Sequence, residues 1–435
     1  MTRDPIGLAL NSMNRLAGSS WLDRLGIRRS VEWLAYSGTR TGFRTLSVAG
    51  KQFKRARNVL PRQRLPAKRP PDLFDLTLDD DQRMIVDTLA GFADDVIRPA
   101  AGDADEKGQL PESIRTQAME LGLTLYAVPA EFGGVAETRS PVTSALVAEE
   151  LARGDLAIAA ALLAPFSVAQ SITRWGSAEQ QSTYLPAFCD DEPPMATIAL
   201  DEAQPLFDPA KPATTARRQG DGYVLTGEKT GVIMAASSDL FLVSARLDDG
   251  KPRLFLVPRG TEGLSYQDDP AMGLRAAQTA RLRLKQVQVP SDALLGDDDF
   301  DFDAFLDYAS ILRCGLAVGT ARAVQDYVIP YCNEREAFGE PISHRQSVAF
   351  MIANMAIETD SMRLMTWRAA SRAEAGGPFS REARLARLLC NDKAMEIGTN
   401  GVQLLGGHGF VKEHPVERWY RDLRSIATQF GGAHA

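Results

Sequence analysis

In the run TARLRLKQVQV, residues 279–289, apolar and polar side chains alternate. A half-buried strand satisfies a period of two; a helix does not. The run has company. MATIAL (195–200), GYVLTGEKTGVIM (222–234), LFLVSARL (240–247) and PRLFLVP (252–258) are short, β-rich and separated by Gly, Asp and Pro. They follow DEPP (191–194) and end near residue 298. Strands this confined predict one compact antiparallel β domain over 191–298.

On both sides the apolar period lengthens. In LTLDDDQRMIVDTLAGFADDVIRPAA (76–101), Met84, Ile85, Leu89, Phe92 and Val96 recur at helical spacing, and Thr77 or an adjacent Asp is placed to cap the helix. Further helices are expected over 111–121, 142–153 and 156–174, broken by VPAEFGG (128–134). After residue 299 come three long patterns, 302–334, 343–376 and 381–407, with Pro330 near the end of the first, where it is placed to kink it. The fold class is therefore α+β and mainly helical. It divides into an extension and Pro-rich linker (1–74), an N-terminal helical domain (75–190), the β domain (191–298) and a C-terminal helical bundle (299–435). Such bundles usually cover their remaining apolar stripes with another copy.

At 44% hydrophobic and 24% charged, the chain has the composition of a globular protein. No uninterrupted apolar run reaches the length of a membrane span, and the first residues lack a signal peptide's apolar core and cleavage site. The expected compartment is the cytoplasm. Four cysteines form no CxxC pair, and four histidines show no metal spacing, so no metal is expected. Charge is uneven: residues 1–70 carry fifteen Lys/Arg against three acids, +12, leaving −19 for the rest of a chain of net −7. Aromatic and basic residues mix over 1–58, as in segments that lie on an anionic membrane surface or dock on a partner. A transit peptide and a solvated tail are the other readings. No nucleic-acid motif accompanies the charge.

Two C-terminal segments are specific: REAFGEPISHRQSVAFMIANMA (335–356) and QLLGGHGFVKEHPVERWYRD (403–422). With VPAEFGG, AEELARGD (148–155) and GYVLTGEK, they resemble the acyl-CoA dehydrogenase family of flavoproteins. That resemblance implies α,β-dehydrogenation of an acyl-CoA thioester with FAD as hydride acceptor, in a homo- or hetero-oligomer, dimer or tetramer, whose FAD lies between neighbouring subunits. It assigns Arg335 and Phe338 to the FAD pyrophosphate and adenosine, Gln346 (with His344) to the helix start beside them, and Gln403, Gly406 and Gly407 to close backbone approach. A guanidinium suits two phosphates, and glycines let backbone N–H groups near them. Glu417, Arg418, Arg421 and Asp422 read as structural ion pairs.

The sequence also departs from the pattern. In LDEAQPLFD (200–208), Asp201 stands where the family has a Thr and Phe207 where it has a Ser; Glu202 and Asp208 remain. In KTGVI (229–233), Gly231 takes a Trp position and Ile233 a hydroxyl position. The two family locations for the base that removes the α-proton hold Phe430 and Ala309. Asp301, Asp303 and Asp307 are the remaining acids near the second, should the helix start elsewhere. The alternative reading is a non-catalytic subunit that completes the FAD site of a partner acyl-CoA dehydrogenase. An oxygenase on the same fold, and a helical protein without nucleotide, are lesser readings.

Overall fold

The computed structural model describes residues 77–136, 140–204 and 207–429. The extension, the linker and Phe430 lie outside the described residues.

The N-terminal domain begins with α1 (Asp80–Phe92). Asp79, rather than Thr77, caps it: Gln82 N donates to Asp79 Oδ1 at 2.7 Å, and Asp79 N donates to Gln82 Oε1 at 3.2 Å. This reciprocal box satisfies two otherwise orphaned donors. A π-turn (Ala93–Ile97) leads into α2 (Arg98–Lys107), followed by α3 (Glu112–Glu120), α4 (Pro141–Gly154), α5 (Leu156–Trp175) and α6 (Ala178–Tyr184). α5 is long and apolar enough to cross a membrane, yet 89% of that apolar window is buried inside the protein. Its all-round apolar surface is that of a core helix.

The middle domain is a seven-stranded sheet: β1 (Ala196–Ala199), β2 (Thr215–Gln219), β3 (Gly222–Val232), β4 (Leu240–Arg246), β5 (Pro252–Pro258), β6 (Leu264–Asp268) and β7 (Ala280–Pro290). Its order is β1-β4-β2-β3-β7-β6, with β5 beside β4. The β2–β3, β3–β7, β4–β5 and β6–β7 pairs are antiparallel. The sheet departs from the expected purely antiparallel one at β4, which runs parallel to β1 and meets β2 in parallel at one position. The long connection from β1 to β4 allows this; a tight turn would not. In β7 the apolar beat slips between Leu284 and Val287. The register shifts there, and Gln286 turns to φ 53°, so that Val287 again faces inward.

The C-terminal bundle contains α7 (Phe302–Glu334), a short hairpin of β8 (Glu336–Ala337) and β9 (Glu340–Pro341), α8 (Gln346–Glu374), α9 (Ser380–Leu405) and α10 (Val416–Ile426). α7 continues through Pro330 for four further residues. It packs tightly on α4 because Gly315 and Gly319 face it: a Cβ at Gly319 would lie 2.0 Å from Glu149 O, and one at Gly315 2.8 Å from Ala145 O. The AEELARGD segment on α4 is an ion-pair hub. Arg322 Nη1 reaches Glu149 at 2.6 Å and Glu150 at 2.7 Å, and Arg153 bridges Asp94 and Glu150.

Candidate functional site

A cavity of about 140 Å³ lies where α5, the sheet and the N-terminal half of α7 converge. Ala160, Leu163 and Ala164 of α5 face Phe305, Ala309, Leu312 and Leu316 of α7; Asp201, Thr230, Gly231 and Ile233 form the sheet side. The lining is mostly apolar, as in sites that take an alkyl or aromatic ligand. Among the described residues lining it, Asp201 is the one carboxylate and Arg313 the one guanidinium.

The segment carrying Asp201 is fixed from beneath. Lys229, fully buried on β3, donates through Nζ to Leu200 O at 3.2 Å, Glu202 Oε1 at 2.8 Å and Ser244 Oγ at 2.8 Å. Glu202 also accepts from Ala213 N at 2.7 Å and Thr214 N at 2.9 Å. Burial pushes the Lys229 ammonium down to about 8, against the pull of Glu202. Burial works on Glu202 in the opposite sense, but Lys229 and Thr214 outweigh it and hold this carboxyl below its ordinary value. With residues 200 and 202 both held by one ammonium, Asp201 is presented at the cavity. Glu202 is thus a structural anchor, and so is Asp208, which accepts from Ala210 N at 3.0 Å.

Gly231 sits at φ 59°, and a Cβ there would meet no atom within 4 Å. The wall is open where a bulky ring would close it. Thr230 gives its hydroxyl to Asp269, which also accepts from Gly231 N at 3.3 Å. Phe207 is buried but does not line the cavity.

Ala309 lines the cavity, as its place on α7 requires. The three nearby acids do not. Asp301 caps α7, accepting from Ala304 N at 2.9 Å. Asp307 lies away from the lining; burial raises its carboxyl to about 6, opposed by a hydrogen bond from Ser380 and reinforced by Asp303 and Asp301. One turn beyond Ala309, buried Arg313 donates through Nη1 to Ile426 O and Gln429 O, each at 2.8 Å. It secures the chain leaving α10, and Gln429 joins the cavity wall. Sequence reading gave Arg313 no role, although an arginine inside the apolar run ILRCGLAVG was a visible signal.

The residues assigned to the dinucleotide lie elsewhere. Arg335, Phe338, Gln346, Gln403, Gly406 and Gly407 are all exposed. The Arg335 guanidinium makes no hydrogen bond or ion pair among the described residues. Phe338 is 96% exposed at φ 59°, followed by Gly339 at φ 84°, so the β8–β9 turn has two left-handed residues. A bulky side chain in that region is strained. Gly406 adopts φ 58°, ψ −130°, a conformation open to glycine. The two segments are neighbours: Arg335 N donates to Tyr331 O at 2.8 Å, and Tyr331 Oη lies 2.9 Å from His408 Nδ1.

A helical domain, a β domain and a helical bundle, with a cavity at their junction, define the acyl-CoA dehydrogenase architecture. The chain belongs to the acyl-CoA dehydrogenase family: the family's N-terminal domain matches residues 79–192, its middle domain 197–287 and its C-terminal domain 302–434. The mitochondrial short-chain specific acyl-CoA dehydrogenase of Bos taurus is 32% identical over 356 residues, covering 80% of this chain and 86% of its own. The butyryl-CoA dehydrogenase structure from Megasphaera elsdenii superposes with a TM-score of 0.76 at 27% identity, covering 83% of this chain and 97% of its own. A glutaryl-CoA dehydrogenase from Mycobacterium smegmatis in complex with FADH2 gives 0.73 at 29% identity, covering 82% and 92%.

The exposed end of the bundle fits a dinucleotide: a guanidinium without a partner among the described residues, and glycines with open space around them. The sheet side of the cavity fits a flavin ring less well, because Asp201 brings a carboxylate and Thr230 spends its hydroxyl on Asp269.

Proposed function

We propose that this chain is an acyl-CoA dehydrogenase-like flavoprotein subunit, acting in α,β-dehydrogenation of an acyl-CoA thioester. FAD, when bound, supplies the acceptor for the hydride. One observation carries the subunit arrangement. Ala309 lies on α7 and Arg335 caps the C-terminus of the same helix, 26 residues and about 39 Å further along it. No single dinucleotide spans from this chain's cavity to its own Arg335. Arg335, Phe338 and Gly406–Gly407 therefore serve the cavity of a neighbouring subunit, and this chain's cavity depends on a neighbour in turn. The apolar cavity walls hold the acyl chain and exclude water, while Lys229 keeps the 200–202 segment rigid. The test is FAD titration of the oligomer: Arg335→Ala should weaken FAD binding about tenfold or more, as expected for a charged hydrogen-bonding partner. Unchanged affinity would refute the arrangement.

A second reading is favoured by Ala309. With an alanine at one location for the base, and Phe430 in sequence at the other, this chain would complete the FAD site of a catalytic partner without turning over itself. Co-purification from native extract with a second acyl-CoA dehydrogenase chain supports this. A homo-oligomer bleached by an acyl-CoA supports the first reading.

A further inference from the structure

Two tyrosine–histidine pairs join the halves of the proposed dinucleotide site, and neither pair has a part in the proposal above. Tyr327 and Tyr331 are one turn apart near the end of α7, so both hydroxyls leave the same face. Tyr331 Oη is 2.9 Å from His408 Nδ1, and Tyr327 Oη is 2.7 Å from His414 Nδ1. The two imidazoles stack, with centroids 5.3 Å apart and planes within 15°. Each ring also meets Tyr331 edge-on.

The position of His408 makes this arrangement consequential. It follows Gly406 and Gly407 directly, in the 3-10 turn Gly406–Phe410. A Cβ placed on either glycine would meet no atom within 4 Å, so packing around them does little to hold their backbone. On the other side, Tyr331 O accepts from Arg335 N at 2.8 Å. A path of two hydrogen bonds thus runs from the Arg335 backbone through Tyr331 to the residue after Gly407. His408 itself is exposed, so its ring is not there to fill the core.

We propose that His408 and Tyr331 are positioning residues. Their hydrogen bond, backed by the stacked His414–Tyr327 pair, sets the Gly406–Gly407 backbone at a fixed distance from Arg335, where both meet the phosphates of a dinucleotide. This rests on the FAD reading above. The group acts through the glycines and Arg335; it need not touch the ligand.

The test is FAD titration of the full-length oligomer, followed by flavin fluorescence quenching, with thermal unfolding recorded for every variant. Tyr331→Phe and His408→Leu each remove the bond and should weaken FAD about fivefold, the scale of one hydrogen bond. His408→Asn keeps a polar atom where Nδ1 stands, and should stay within about twofold of the wild type. Rescue by Asn separates a hydrogen-bonding role from ring stacking. If His408→Asn is as weak as His408→Leu, the proposal is wrong, and it is equally wrong if Tyr331→Phe and His408→Leu bind FAD normally. If His408→Leu loses its unfolding transition, Tyr331→Phe, which deletes a single oxygen, decides. Absence of quenching by the wild-type oligomer overturns the FAD reading and this proposal together. Quenching with unaffected variants overturns this proposal alone.

Discussion

Arg421 grips Asp105 with both ends of its guanidinium: Nη1 to Oδ1 at 2.9 Å and Nη2 to Oδ2 at 2.6 Å. The same arginine binds Glu417 one turn back and donates to Met272 O at 3.0 Å. One side chain on α10 thereby joins the N-terminal domain, the β domain and the bundle. Both partners are buried, and removing Arg421 leaves Asp105 with only the longer 3.9 Å contact to Arg275. Arg421→Leu should cost about 3–5 kcal/mol, read as a lower urea midpoint. Adding Asp105→Leu should recover much of the loss. A single variant with wild-type stability would show that the pair is not a structural tie.

The next residue predicts a pH dependence. Asp422 is fully buried; its Oδ1 accepts from Leu274 N at 2.7 Å, and its Oδ2 has no hydrogen-bond partner among the described residues. Burial, with Asp155 close by, raises this carboxyl from 3.8 to about 8, against the Leu274 hydrogen bond and Arg421. A folded value above the unfolded one gives a contribution that is full below 3.8 and lost as pH rises through about 8. Asp422→Asn keeps an acceptor for Leu274 and cannot ionise. Its melting temperature should rise relative to wild type between pH 5 and about 8, and a parallel pair of curves would count against the assignment.

The three domains were legible because apolar period reports local structure, and the period changes near residues 191 and 298. The bulge at Gln286 was missed: the run reads as plain alternation, although Lys285 and Gln286 place two polar residues together between Leu284 and Val287. Long-range pairing was not legible either. Arg421 and Asp105 are 316 residues apart, and Tyr331 and His408 are 77 apart; nothing in their spacing selects one charged or polar partner among many. The site was legible in part. Ala309 falls in the cavity as counted, and Asp307 faces away from it. Phe207 stands at a family Ser position in the motif but is buried outside the lining, because strand register and loop path, rather than motif position, decide where a side chain points.

An apolar stripe on α8 predicts the assembly state. Phe350, Ile357 and Leu364 are 59%, 62% and 46% exposed at intervals of seven residues, so they lie along one face. Leu385 and Leu388 on α9 are exposed as well. A surface of this kind is stable in water when another subunit covers it. Sedimentation should show a dimer or larger species, and Ile357→Asp should shift it toward the monomer without changing the thermal transition of the domain core. A wild-type monomer at micromolar concentration would contradict the cross-subunit FAD site.

Ala309→Glu tests whether the cavity lacks only its base. Position 309 faces the cavity from α7, opposite the α5 wall. Arg313, one turn on, would favour the ionised form of the introduced carboxylate. A positioned base contributes about 10²- to 10⁴-fold to proton transfer. With FAD added and butyryl-CoA as the probe, the wild-type homo-oligomer should show little α-proton exchange into D2O if the supporting-subunit reading holds. The variant should raise the exchange rate by at least about 10², and bleaching of the flavin absorbance should follow. If wild type already exchanges rapidly, another group serves as base, and Asp201, the one carboxylate among the described lining residues, is the first to replace. If neither protein exchanges while FAD is bound, the obstacle lies at the sheet side of the cavity, where Gly231 and Thr230 leave the ring position without a stacking surface or a spare hydroxyl.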